Sequence, residues 1–130
     1  MIEQTELIVS EWDYHAPGNF NEAEEKVHSF TTLDVMKKRA PTKKGIACRF
    51  TCRFVIGNET ILDYVGEDSY VIDLADAIDK NELITMIRNS FSKFKEKFDF
   101  RKFGTILQDR TLAPLEESKI DFDAMLPLLI

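Results

Sequence analysis

The stretch Ile46 to Ile56, IACRFTCRFVI, limits the folds open to this chain more than any other. As an extended strand it puts Ile46, Cys48, Phe50, Cys52, Phe54 and Ile56 on one face, and Ala47, Arg49, Thr51, Arg53 and Val55 on the other. As a helix it would scatter Arg49 and Arg53 around an apolar cylinder, and its β-branched and aromatic residues also favour a strand. One face must be covered, while the other can meet water.

The neighbouring segments extend this strand into a sheet. Gly57-Asn58 lies between Ile56 and a second extended run, Glu59 to Ile72, which is the pattern of a two-residue hairpin. A bulge or bend is expected near Gly66-Glu67-Asp68. Upstream, Val27 to Lys38 reads as a strand with apolar groups on both faces: Val27, Leu33 and Val35 on one, Phe30 and Met36 on the other. Both faces are therefore expected to be partly covered. The proline-bearing turn Ala40 to Lys44 joins it to the central strand. Glu3 to Tyr14 reads as a first strand, centred on Leu7, Ile8 and Val9, with Trp12 and Tyr14 alternating with acids. Residues 16 to 26, APGNFNEAEEK, are too long for a tight hairpin, so the first two strands need not be neighbours. Short turns between the others imply antiparallel pairing, with strand order left open.

After residue 78 the period changes. Asp79 with Glu82 resembles a capping box, and Leu83, Ile87, Phe91, Phe94 and Phe98 recur at helical spacing, which predicts a helix of about 18 residues. Its stripe is the natural cover for the sheet. Ile84 and Met86 widen that stripe and suggest a second contact beyond the sheet, consistent with self-association. Residues 99 to 119 show no period but carry Phe100, Phe103, Ile106, Leu107, Leu112 and Leu115. The final IDFDAMLPLLI predicts a short helix capped by Asp121. The expected fold class is α+β in two layers: a four-stranded antiparallel sheet, then a long helix and a short C-terminal one.

Composition narrows the function. The chain has 130 residues, 44% hydrophobic, which suits one domain over 1–130. A net charge of −6 opposes nucleic acid and favours basic partners. The cations Lys37, Lys38, Arg39, Lys43 and Lys44 read as solvated turn residues. No apolar run approaches the ~20 residues needed to span a bilayer, and the N-terminal residues show no export signal, so a cytoplasmic location is expected. Cys48 and Cys52, on one strand face, would have Cα atoms about 13 Å apart, which predicts reduced, buried thiols. His15 and His28 are scattered, so no zinc site and no other cofactor is expected. The five glycines form no phosphate loop, and no nucleophile motif appears. The acid pairs Asp121 with Asp123 and Asp73 with Asp76 read as solvated or capping groups, so no enzyme is expected.

The element order and three short motifs resemble the SecB-type protein-export chaperones. WDYHAP at 12 to 17 resembles the end of that family's first strand, where an aromatic-x-Ala-Pro segment enters a crossover loop. GNET at 57 to 60 resembles its hairpin, and LAP at 112 to 114 followed by IDFDAML at 120 to 126 resembles its ending. The resemblance implies sheets outside and helices between them in a homodimer or homotetramer, binding of unfolded preproteins in apolar grooves, and no enzymatic activity. Carried onto this chain, it places polypeptide binding at Trp12, Phe20, Phe100, Phe103, Leu107, Leu112 and Leu115. It places an acidic face, which in the family meets the translocase motor, at Glu11, Asp63 and Glu67. The chain departs from the family where DKNELITMIRNSF replaces a cysteine-, proline- and tyrosine-rich segment, and where His15 stands at a position often acidic. The expected function is therefore non-enzymatic, chaperone-like binding of unfolded or partly folded polypeptide, with export as the family role. The alternative is an interaction protein dedicated to one folded partner, such as a toxin–antitoxin component.

Overall fold

The computed structural model describes residues 3–16, 26–39 and 41–125. Strands β1 (Glu3–Gln4), β2 (Ile8–Tyr14), β3 (Val27–Arg39), β4 (Lys43–Ile56) and β5 (Glu59–Asp73) are followed by helix α1 (Lys80–Arg101), a 3-10 turn (Glu117–Lys119) and helix α2 (Phe122–Met125). The sheet is antiparallel throughout, in the order β1-β5-β4-β3, with β2 continuing the β1 side of β5. The α+β class is as expected. The long connection carries the chain from one side of the sheet to the opposite edge, so the first strand lies against β5 and not against β3.

β4 is the centre of this sheet, as its pattern requires. Ile46, Cys48, Phe50, Cys52, Phe54 and Ile56 are buried beneath α1, while Arg49 and Arg53 are exposed on the outer face. The strand begins three residues earlier than its apolar alternation, at Lys43. At Gly45 a Cβ would stand 2.1 Å from the Tyr70 carbonyl oxygen, so only glycine admits the approach of β5 there. At the hairpin, Gly57 takes a positive φ of 58°, which glycine adopts without strain.

Several expectations are corrected. β5 runs without a break through Gly66. One irregularity lies at Phe54/Val55 opposite Ile61; the other does fall against Gly66, but its extra residue is in β2, between Val9 opposite Gly66 and Glu11 opposite Val65. The second of these sets the phase of β2. With Ser10 as an extra residue, Val9 and Trp12 sit opposite Gly66 and Tyr64 respectively, on the same inner face. The first strand is split into β1 and β2 because Leu7 turns into the core, 1% exposed, and Thr5 takes over the pairing. Thr5 donates its N–H to Ser69 O at 2.9 Å and accepts the Ser69 N–H on Oγ1 at 2.9 Å. The outer face of β3 is open, with Phe30 60% exposed, and its inner residues are only half-buried. Met86 is a core side chain and does not serve a separate contact.

α1 begins where Asp79 Oδ1 accepts the Glu82 N–H at 2.8 Å and ends three residues beyond Phe98. It presses an aromatic stack onto the sheet. Phe94 lies face to face with Tyr64 at 4.1 Å between centroids, and Phe98 with Phe54 at 5.3 Å. Tyr64 Oη donates to the Phe94 carbonyl at 2.7 Å, fixing helix and sheet in register. Asp121 Oδ1 accepts the Ala124 N–H and caps α2 as its position suggests.

Candidate functional site

The last turns of α1 form one wall of an open groove. Lys93, Glu96, Lys97 and Phe100 recur at three- and four-residue spacing, so they share the helix face turned away from Phe94 and Phe98. Glu6 and Leu7 form the facing wall, and Phe103 stands at the end, enclosing about 780 Å³. Phe100 is 81% exposed and Phe103 65% exposed, although both are large apolar side chains. The rim carries both signs of charge: Lys97 Nζ lies 3.9 Å from Glu6 Oε1, and Asp99 holds Lys102 at 3.3 Å. Such a surface offers apolar contact area with a polar border, which is the anatomy of a binding site.

The segment after α1 is tied down instead of open. Lys102 Nζ donates to Arg110 O at 2.8 Å, Thr105 Oγ1 donates to Lys102 O at 2.6 Å, and the Ile106 N–H reaches Tyr14 Oη at 3.1 Å. These bonds fold Leu107 and Leu112 into the core, at 0% and 4% exposure. Trp12 is packed edge-on against Tyr64, with centroids 5.2 Å apart, and touches Phe98. Among the residues expected to bind polypeptide, only Phe100 and Phe103 therefore meet at the groove. Leu115 lines a separate cleft under β3, Trp12, Leu107 and Leu112 serve the core, and Phe20 lies outside the described residues.

The outer sheet face carries mixed charge. Asp63 accepts from Arg53 Nε at 2.8 Å, which holds the Arg53 guanidinium above its ordinary pKa. Glu67 stands opposite Arg49 in the β4–β5 register, and Glu11 is exposed opposite Val65. Glu11, Asp63 and Glu67 share the outer face, but two arginines are interleaved with them.

A buried polar cluster went unnoticed in the sequence. Asp68 Oδ2 accepts from Ser90 Oγ at 2.7 Å and Gln4 Nε2 at 2.9 Å. Tyr70 Oη, with Met86 O at 2.7 Å and Ser90 Oγ at 2.8 Å, donates to one of them. The signal was present: Asp68 falls in phase with the inner residues Tyr64 and Tyr70, and Ser90 falls on the stripe of Leu83, Ile87 and Phe94. Polar residues at core positions imply such a network. It is closed to solvent, with Asp68 2% and Ser90 0% exposed, so it ties β1, β5 and α1 together and offers no substrate access. Cys48, beside it, is pushed up to about 12 by burial and the Asp68 charge, against a smaller opposing effect of Ser90; burial raises Cys52 to about 11. Both thiols are protonated and unreactive at neutral pH. Among the described residues no group of three or more His, Cys, Asp or Glu is placed to hold a metal ion. No described helix is long and apolar enough to cross a membrane.

Comparison with known proteins agrees on the fold. The chain resembles the SecB-like chaperone Rv1957 of Mycobacterium tuberculosis, solved in complex with a ChAD peptide from the Rv1956 HigA1 antitoxin. The TM-score is 0.52 at 13% identity, over 88% of this chain and 90% of that one. A Streptococcus agalactiae protein of unknown function matches at a TM-score of 0.43 and 13% identity, over 89% of this chain and 97% of that chain. No family model and no curated protein matches the sequence. The architecture is thus that of a SecB-like α+β fold.

Proposed function

We propose that the chain binds segments of unfolded or partly folded polypeptide in the groove beside Phe100 and Phe103, as a chaperone-like module without catalytic chemistry. The observation that carries this reading is the pair of phenylalanines held in solvent at the mouth of a groove with a charged rim. Exposing both costs burial that the core next to them would have supplied, and a polypeptide side chain restores it. The solved SecB-like neighbour was captured with a peptide of another protein, which supports a polypeptide as the class of ligand. That ligand was an antitoxin segment, and this favours, as a narrower form, one dedicated partner over the general clients of an export chaperone. Arg49 and Arg53 among the outer acids argue in the same direction, because they dilute an acidic surface that a translocase motor would need. The exposed Ile8 and Phe30 fit a homodimer or homotetramer.

The test is calorimetric titration with reduced, carboxymethylated lactalbumin, a permanently unfolded protein. Binding at micromolar concentrations is expected, and the variant Phe100→Ser/Phe103→Ser should lose it while keeping its unfolding midpoint. Absence of any heat of binding at tens of micromolar, with the wild-type chain folded, refutes the general form. A single stoichiometric partner recovered by pull-down from the source cell, without binding of the unfolded probe, selects the dedicated form.

A further inference from the structure

The wall of the groove that faces α1 is short. It consists of Glu6 and Leu7, in the break between β1 and β2, just after Thr5 carries the pairing with β5. At the lip, Glu6 Oε1 lies 3.9 Å from Lys97 Nζ, but the Glu6 side chain is 87% exposed, and a pair so open to water holds little. At the floor, Leu7 and Phe94 close over Gly66, where an added Cβ would meet both. That contact is apolar and without direction. It seats the Leu7 side chain but does not by itself set the path of the backbone that leads into the wall.

Direction comes from two residues further back. Gln4 stands opposite Tyr70 in the register with β5, and its side chain reaches diagonally to Asp68, where Nε2 donates to Oδ2 at 2.9 Å. The same oxygen accepts from Ser90 Oγ of α1 at 2.7 Å. One carboxylate oxygen therefore joins the strand that leads into one wall to the helix that forms the other. Ser90 lies three residues, about one helical turn, before Lys93, where the groove begins.

Asp68 is 2% exposed, and its Oδ1 is buried and accepts no hydrogen bond from the described residues. A core carboxylate with one oxygen unpaired adds little to stability, because the desolvation of that oxygen is uncompensated. What it supplies is geometry: two charge-assisted bonds of fixed direction, meeting at one atom.

We infer that Gln4 and Asp68 are positioning residues of the groove, which through the shared oxygen set the spacing between the Glu6–Leu7 wall and α1 without touching what the groove holds. This rests on the polypeptide-binding reading and adds to it the device that fixes the width of the site. The experiment compares Gln4→Ala, which cuts the arm to β1 and leaves the Asp68–Ser90 bond in place, with Asp79→Ala, which removes the cap at the far end of α1. Calorimetric titration with reduced, carboxymethylated lactalbumin is read beside residue-resolved amide hydrogen exchange. In Gln4→Ala the Thr5 and Ser69 amides should exchange several-fold faster, those of β4 should be unchanged, and the probe should bind several-fold more weakly. Asp79→Ala should unfold at a lower midpoint yet bind the probe as the wild type does. Equal weakening in both variants would show a general loss of stability and overturn the inference. Wild-type affinity in Gln4→Ala overturns it too, as does weaker binding with Thr5 and Ser69 exchange unchanged, since the wall has then not moved. No binding by the folded wild-type chain overturns the polypeptide-binding reading itself, and the spacing role with it.

Discussion

A Cβ added to Gly66 would stand 2.7 Å from Phe94 Cδ1 and 3.0 Å from Leu7 Cδ2, both on side chains with almost no exposure. Phe94 cannot retreat, because it is stacked on Tyr64 on one side and Phe50 on another. Gly66→Ala should therefore cost about 1–3 kcal/mol, the usual range for overpacking a closed core, measured by urea unfolding. A cost within experimental error would mean that the helix is free to lift from the sheet. Sequence alone suggested a bend at this glycine, since an isolated glycine in a strand signals either a bulge or a close approach. The choice depends on what packs across from it, and that partner lies 28 residues further along the chain in α1.

At the scale of elements, the segment between α1 and α2 separates the two roles of its apolar residues. Leu107 is buried beneath hydrogen bonds that reach Tyr14 and Arg110, whereas Phe103, four residues earlier, is exposed. Leu107→Ala should cost about 2–5 kcal/mol in chemical denaturation. Phe103→Ala should stay within about 0.5 kcal/mol of wild type, since it removes no buried contact. Similar losses for the two would show that Phe103 is packed and would withdraw it from the groove. The periodic elements were legible: the alternation of β4, the hairpin at Gly57-Asn58, the Asp79 cap and the Phe94/Phe98 stripe all form where their patterns place them. The aperiodic segment was not, because with no period nothing in the sequence distinguishes a leucine turned inward from a phenylalanine turned outward.

For the whole molecule, the buried thiols and phenols tie stability to alkaline pH. Burial, the main cause in each case, raises Cys48 from 9.0 to about 12, Cys52 from 9.0 to about 11 and Tyr70 from 10.0 to about 12. The fold thus favours the neutral forms. That stabilisation is complete below the ordinary values, near 9 to 10, and is lost as pH rises through the folded ones, near 11 to 12. Each thiol contributes a decline of up to about 1.4 kcal/mol per pH unit in that window. The thermal midpoint should fall from pH 8 to about 10.5, and Cys48→Ala/Cys52→Ala, although less stable at pH 8, should fall less steeply. Equal slopes would show that the thiols are not protected as the structure places them.

By itself the sequence determined the α+β class, the strand at the centre, the helix that covers it and the side of each residue within a periodic element. It did so because these features are local, set by pleat and helix geometry within a few residues. Tertiary structure decided the split first strand, the bulge at Ser10, the close approach at Gly66, the Asp68–Ser90 tie and the exposure of Phe100 and Phe103. Each depends on which distant segment arrives at a given face and how much of it that segment covers, and no local period encodes that.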